Sequence, residues 1–332
     1  MNENDLVPSY RELAEGYGGA PPGAAWGVFG DGDQVGTVNF LTPARVRRAL
    51  ASVESGRIVG LDYPLNAFVP SIAGTRPETR HSIFANNPNH RDDWIDSFYL
   101  QSTSQVDGLR HIRHPQHGFY GGTADDRIEV GTAPLGIHHL AERGIAGRGV
   151  LLDVPRHFAA TGRAYDVTTT VRVTPEDLDA VAARQGVELR PGDILMVYFG
   201  WAERYLAEGI EGRERMKGKP GLAQSESMLA WLWDHQIAMV ASDNSGVEAI
   251  PVDRESGWYD PDESAPVRGP SHNGMMHRPM IALLGLTLGE LWKLDELAAA
   301  CAERGRYDFF VTVKPLNLVG GVGSPPNATA VL

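Results

Sequence analysis

The stretch PGDILMVYFGW, residues 191–201, decides the fold class. Its run Ile194–Phe199 is apolar throughout and is bounded by Pro191-Gly192 on one side and Gly200 on the other. An apolar run of this length between turn formers reads as a strand buried on both faces, which belongs in a sheet covered by helices. Upstream, RGVLLDVP (148–155) has the same character, and TPEDLDAVAARQG (174–186) between them is a helix. Thr174 is its cap, Pro175 its first residue, Asp177 the capping carboxylate and Gly186 the stop. Downstream, SMLAWLWDHQ (227–236) reads as helix and IAMVASDN (237–244) as strand. GELWKLDELAAACAERG (289–305) then reads as a helix with Leu291, Leu294, Leu297, Ala298 and Cys301 at helical spacing, and DFFVTVKPL (308–316) as a closing strand. Strands alternating with helices predict an α/β fold, a single mixed β/α domain.

The first half is less regular. Residues 1–25 are polar and end in GYGGAPPG, which reads as an N-terminal arm, a surface tail or a segment that packs on a partner subunit. The main domain spans 26–332. TPARVRRALASVESG (42–56) is a helix from its Thr42 cap to Gly56, RIVGLDYPLN (57–66) a short strand, and 66–97 a long irregular section carrying His81, His90 and Trp94.

The 332 residues are 42% hydrophobic, enough for a substantial core. A net charge of −12 with no run of lysines or arginines argues against nucleic acid and anionic membrane surfaces as partners and leaves a small-molecule substrate. The single cysteine, Cys301, excludes a disulfide framework and a cysteine-rich zinc cluster, so any metal must be held by His, carboxylate or amide groups. The N-terminus has no secretory signal, and no stretch approaches the roughly 20 apolar residues of a membrane span, so a cytoplasmic location is expected. A phosphate-binding loop and a G-x-S-x-G elbow are absent, and VGGVGSPPNA (319–328) is a poor dinucleotide motif because prolines stand where its helix should begin.

Chemistry gathers instead in QSTSQVDGLRH (101–111). Gln101, Gln105, Asp107 and His111 all hold odd positions, so an extended segment would turn them to one face, as a metal or acid/base site requires. The alternative is an ordinary turn at Asp107-Gly108 with a surface histidine. His114 and His117 follow in RHPQHGFYGG (113–122) and read as solvated loop histidines. SHNGMMHRPMIALLGLTLGE (271–290) adds His272, His277 and Glu290. His277 precedes an apolar run and should be buried beside a partner, whereas Glu290 opens the helix read from Gly289, where a carboxylate also suits the helix dipole.

These stretches, with WGVFGDGDQVGTVNFLTP (26–43), GIAGRGVLLDVPR (144–156), VASDNSGVE (240–248) and DFFVTVKPLNLVGGVGSPPNATA (308–330), occur in an order that resembles the metal-dependent cyclase/hydrolase family of kynurenine formamidases, isatin hydrolase and trans-dienelactone hydrolase, in its longer cyclase branch. The resemblance covers nearly the whole chain and implies the cyclase-like swivelling β/β/α fold and a homodimer or homotetramer. The family signature H-x-G-T-H-x-D-x-x-x-H places its aspartate on Asp107 and its last histidine on His111, but its first two histidines fall on Gln101 and Gln105, with Thr103-Ser104 at its Gly-Thr. His277 and Glu290 match the later His and Glu that complete the family's site. Amide oxygens in place of two imidazoles favour one ion over two and an oxygen-tolerant ion, Mn²⁺, alongside Zn²⁺.

The expected activity is hydrolysis of a small cyclic or aryl amide, lactam or lactone by a metal-activated water. Gln105, Asp107, His111 and His277 are the expected ligands, and His277 or Glu290 the proton carrier. Gln101, Trp94, Tyr120 and Trp258 are candidate substrate contacts. Two alternatives remain open: a cyclase, dehydratase or isomerase acting on a polyketide-like or diketone substrate through the same site, and a metal-free binding protein on the same scaffold.

Overall fold

A computed structural model describes residues 5–332 of the chain. A nine-stranded mixed sheet organises it, in the order Ile58–Gly60, Thr329–Val331, Asp308–Val313, Ile145–Asp153, Ile194–Tyr198, Met239–Ser242, Thr287–Glu290, Gln105–Asp107 and Gly323–Ser324. The four strands from Ile145–Asp153 to Thr287–Glu290 are mutually parallel, and antiparallel strands extend the sheet on both sides. The parallel strands are the continuous apolar runs of the sequence: Val150, Leu151, Leu152, Ile194–Val197 and Met239–Ala241 are wholly buried because helices cover both faces.

Helix Pro175–Gln185 starts and stops as the sequence predicts, with the Thr174–Asp177 capping box and Gly186 in the left-handed conformation. Helix Glu226–Asp234 buries Met228, Leu229, Trp231, Leu232 and Trp233. Cys301 is buried in helix Asp295–Arg304, as core filling. Among the described residues no helix is long and apolar enough to cross a membrane.

Several expectations are corrected. The last long helix begins at Asp295 rather than Gly289, and Glu290 closes a buried strand instead of opening a helix. Close packing explains this: a Cβ on Gly289 would lie 2.7 Å from the Ala241 methyl and 2.8 Å from Trp292 Nε1, so glycine here serves sheet contact. Helix Pro43–Leu50 stops at Leu50, well before Gly56. Asp308–Val313 is not the last strand, because Gly323–Ser324 and Thr329–Val331 return to the sheet. The section 66–97 contains a hairpin, Arg80–Asn87 with His90–Asp96, whose polar sequence hides it. The supposed arm, apart from its first four positions outside the described residues, is tied into the body. Tyr10 and Leu13 of helix Tyr10–Ala14 are buried, Trp233 Nε1 donates to Pro8 O at 2.7 Å, and Tyr10 N donates to Asp234 Oδ1 at 2.7 Å.

Candidate metal and acid/base site

The site forms where the parallel strands end, the usual position for chemistry on an open α/β sheet. Gln105–Asp107 pairs antiparallel with Thr287–Glu290 so that Gln105 stands opposite Glu290 and Asp107 opposite Leu288. Cross-strand partners share a face, and Gln105 Nε2 accordingly donates to Glu290 Oε2 at 2.8 Å. The extended segment is shorter than the sequence suggests. Only Gln105, Val106 and Asp107 form strand, and Gln101 reaches the site from the preceding turn.

His277 lies between two carboxylates. Its Nδ1 is 2.5 Å from Glu248 Oε1 and its Nε2 is 2.8 Å from Glu290 Oε1. The backbone N–H groups of Met276 and His277 also donate to Glu248, at 2.6 and 2.8 Å. Burial alone would lower the His277 pKa, but the hydrogen bonds and charges of Glu248 and Glu290 outweigh it and push it up to about 10. Glu290 is lowered: burial opposes ionisation, and the hydrogen bond from His277 prevails. Burial raises Asp107 despite the nearby His111 and the Gln101 amide.

Asp107 is wholly buried. Gln101 Nε2 donates to Asp107 Oδ1 and lies 3.1 Å from His111 Nδ1. Asp107 Oδ2 has no hydrogen-bond partner, and His111 Nε2 is 4.0 Å from it. Asp107, His277 and Glu290 offer ligand atoms that all lie within 4.8 Å of one another. Three buried carboxylates, Asp107, Glu248 and Glu290, therefore face one imidazolium, and an orphaned carboxylate oxygen points to a missing positive partner. A divalent cation fits this donor set in charge and in chemistry.

A cavity of about 440 Å³ opens onto the group, with Gln101, Gln105, His111, His277 and Glu290 in its wall. His272 joins them, its ring 6.0 Å from His111 and 5.7 Å from His277. Burial, then the like charges of His277 and His111, pull His272 down to about 3, so it is a neutral imidazole at neutral pH.

The structure thus brings together seven residues singled out from sequence, Gln101, Gln105, Asp107, His111, His272, His277 and Glu290. Gln105 is seen as the amide that orients Glu290, and Gln101 as the one that bridges Asp107 and His111. The three aromatic candidates lie elsewhere. Trp94 stands half exposed on the hairpin, Tyr120 is buried with its hydroxyl donating to Asp33 Oδ2 at 3.0 Å, and Trp258 packs against the main core. Spacing carries no information on which aromatic faces a cavity, and none of the three lines this one. His114 and His117 stack on each other at 4.7 Å outside the cavity wall.

Sequence reasoning missed Glu248 as a partner of His277 and Lys219 in the cavity wall. Both join the site from loops distant in sequence, and no local pattern marks them.

The sequence matches the family described as "Putative cyclase" over residues 60–249. No curated protein matches the chain. A solved structure titled as a novel cyclase is 29% identical, with a TM-score of 0.78, covering 93% of this chain and 99% of that one. Isatin hydrolase A from Labrenzia aggregata, bound to benzyl benzoate, is 16% identical with a TM-score of 0.54, covering 86% and 98%. An isatin hydrolase bound to the product analogue thioisatinate is 16% identical with a TM-score of 0.53, covering 88% and 99%. At that identity the isatin hydrolases share the fold. The family match, spanning more than half of the residues, together with the architecture shared with the solved cyclase, makes this chain a member of the putative cyclase family.

Proposed function

We propose that this protein is an enzyme that hydrolyses a small cyclic or aryl amide, lactam or lactone with the help of one divalent ion, Mn²⁺ or Zn²⁺. The observation that carries the reading is the orphaned, buried Asp107 Oδ2 beside His111, His277 and Glu290 at the wall of a substrate-sized cavity. Asp107, His111 and His277 are the residues that would hold the ion. When bound, the ion supplies a Lewis acid and a water of lowered pKa.

The chain's own residues supply position and proton movement. Gln101 fixes Asp107 and His111 relative to each other. Glu248 holds the His277 ring through Nδ1, the arrangement that sets which ring nitrogen faces the site. Glu290 is ionised and lines the cavity, held by Gln105 and His277, so it accepts the proton of the attacking water and returns it to the leaving group. Without the ion His277 Nε2 bonds to Glu290; as a ligand it would turn that nitrogen's lone pair to the ion, leaving Glu290 held by Gln105.

Elemental analysis of protein purified without added metal tests the reading. About one equivalent of transition metal is expected in wild type, with loss in Asp107→Asn and His111→Ala, and unchanged metal in both variants would overturn it. The family's description as cyclases favours ring formation or dehydration as the second reading. Product analysis in oxygen-18 water separates the two, since only hydrolysis incorporates the label.

A homodimer or homotetramer belongs to the same proposal. Ile83, Phe84, Trp94 and Ile95 are exposed on the hairpin, and a two-stranded ribbon bare on both faces gains stability when a second copy covers it. A monomer in sedimentation at micromolar concentration would overturn this part.

A further inference from the structure

In a chain of net charge −12, the cavity wall carries, besides His277 and its other histidines, two basic side chains, Lys219 and Arg76. Lys219 is pinned in place by its backbone: its N–H donates to Ile250 O at 2.8 Å and its carbonyl accepts from Ile250 N at 3.1 Å. Its ammonium donates to Ser245 Oγ and, at 3.3 Å, to Ser245 O, and lies 5.0 Å from the centre of the Trp201 ring. A hydroxyl, a carbonyl and an aromatic face are all neutral partners. Among the described residues no carboxylate lies within ion-pair distance of Lys219, and none pairs with Arg76. Burial draws Lys219 down to about 8, with Glu290 acting weakly the other way, which is the signature of a cation without a counter-ion. Lysines that cover surface extend their ammonium into water; this one is held at Ser245, on the cavity wall, instead.

We infer that Lys219, on the same cavity wall as Arg76, is an anion subsite, and that the substrate carries a carboxylate or comparable anionic group apart from the bond that reacts at Glu290. The inference rests on the hydrolase reading only for what happens at that reacting end. That anion would pair with an otherwise uncompensated charge and orient the substrate in the cavity.

The test uses glutarate, adipate and pimelate as probes against the monocarboxylates of equal carbon number, by calorimetry at pH 7 on the metal-loaded protein. One carboxylate of each probe can sit at the metal-binding end, so only the second reports the subsite. At least one dicarboxylate should bind about tenfold tighter than its monocarboxylate, the scale of one charge-assisted hydrogen bond in a desolvated pocket. That advantage should disappear in Lys219→Met, persist in Lys219→Arg, and shrink in Arg76→Gln. Lys219→Gln is a second neutral replacement read the same way. No advantage at any chain length, or one that survives both neutral replacements, overturns the inference. Metal content of the same samples is read separately: protein that takes up no transition metal refutes the hydrolase reading, and a dicarboxylate advantage kept in it leaves the subsite standing.

Discussion

His277 donates twice to one oxygen of Glu248, from its ring Nδ1 at 2.5 Å and from its own backbone N–H at 2.8 Å. The ring is thereby locked to the strand-following loop that carries Glu248, and its Nε2 is aimed at Glu290. Outer carboxylates of this kind typically account for about 10–100-fold in metal affinity. Glu248→Gln is therefore expected to weaken metal binding by about that factor, measured by competition with a chromogenic chelator. Wild-type affinity in the variant would show that the contact serves folding alone.

Glu290→Gln keeps the size of the side chain and can still bond to His277, but it cannot accept a proton. Turnover should fall by about 10²–10⁴-fold with bound metal retained. Metal content and kcat measured on the same preparation distinguish loss of the base from loss of the ion.

Away from the site, Arg306 and Arg148 hold Asp308, which is partly buried, at about 2, overcoming a desolvation that acts the other way. A depressed carboxylate stabilises the fold above its unfolded range and loses that contribution as pH falls through about 2. Discounted for solvent screening, it amounts to about 1 kcal/mol at neutral pH. Asp308→Asn should lower stability by that amount at pH 7, and denaturant titrations should show the gap narrowing below about pH 4.

Tyr120 is 2% exposed and its hydroxyl donates to Asp33. Tyr120→Phe should cost about 1 kcal/mol of stability through the lost hydrogen bond. Dicarboxylate affinity should not change, because the ring lies outside the cavity wall. A changed affinity with an unchanged melting temperature would return Tyr120 to the substrate site.

Much of the core was legible one residue at a time. Apolar runs at 148–155, 191–201 and 237–244 became the parallel centre of the sheet, since burial on both faces leaves no polar alternation to obscure them. The helix capped by Thr174 was readable because its cap, proline and stop are all local signals. The Arg80–Asn87 and His90–Asp96 hairpin was not, because strands exposed on both faces need no apolar pattern. Gly289 reads as a helix border and so draws Glu290 into a helix, whereas its role is close approach to Ala241 and Trp292.

By itself, the sequence determined the α/β class, the lack of a cysteine-based site, and the grouping of Gln105, Asp107 and His111 within a few residues, all set by short-range periodicity and composition. Only the tertiary structure decided that Glu290 faces Gln105 across two strands, that Glu248 grips His277, and that Lys219 shares their cavity. Sheet register brings Gln105 to Glu290 across 185 positions, and no local preference of the chain encodes such a contact.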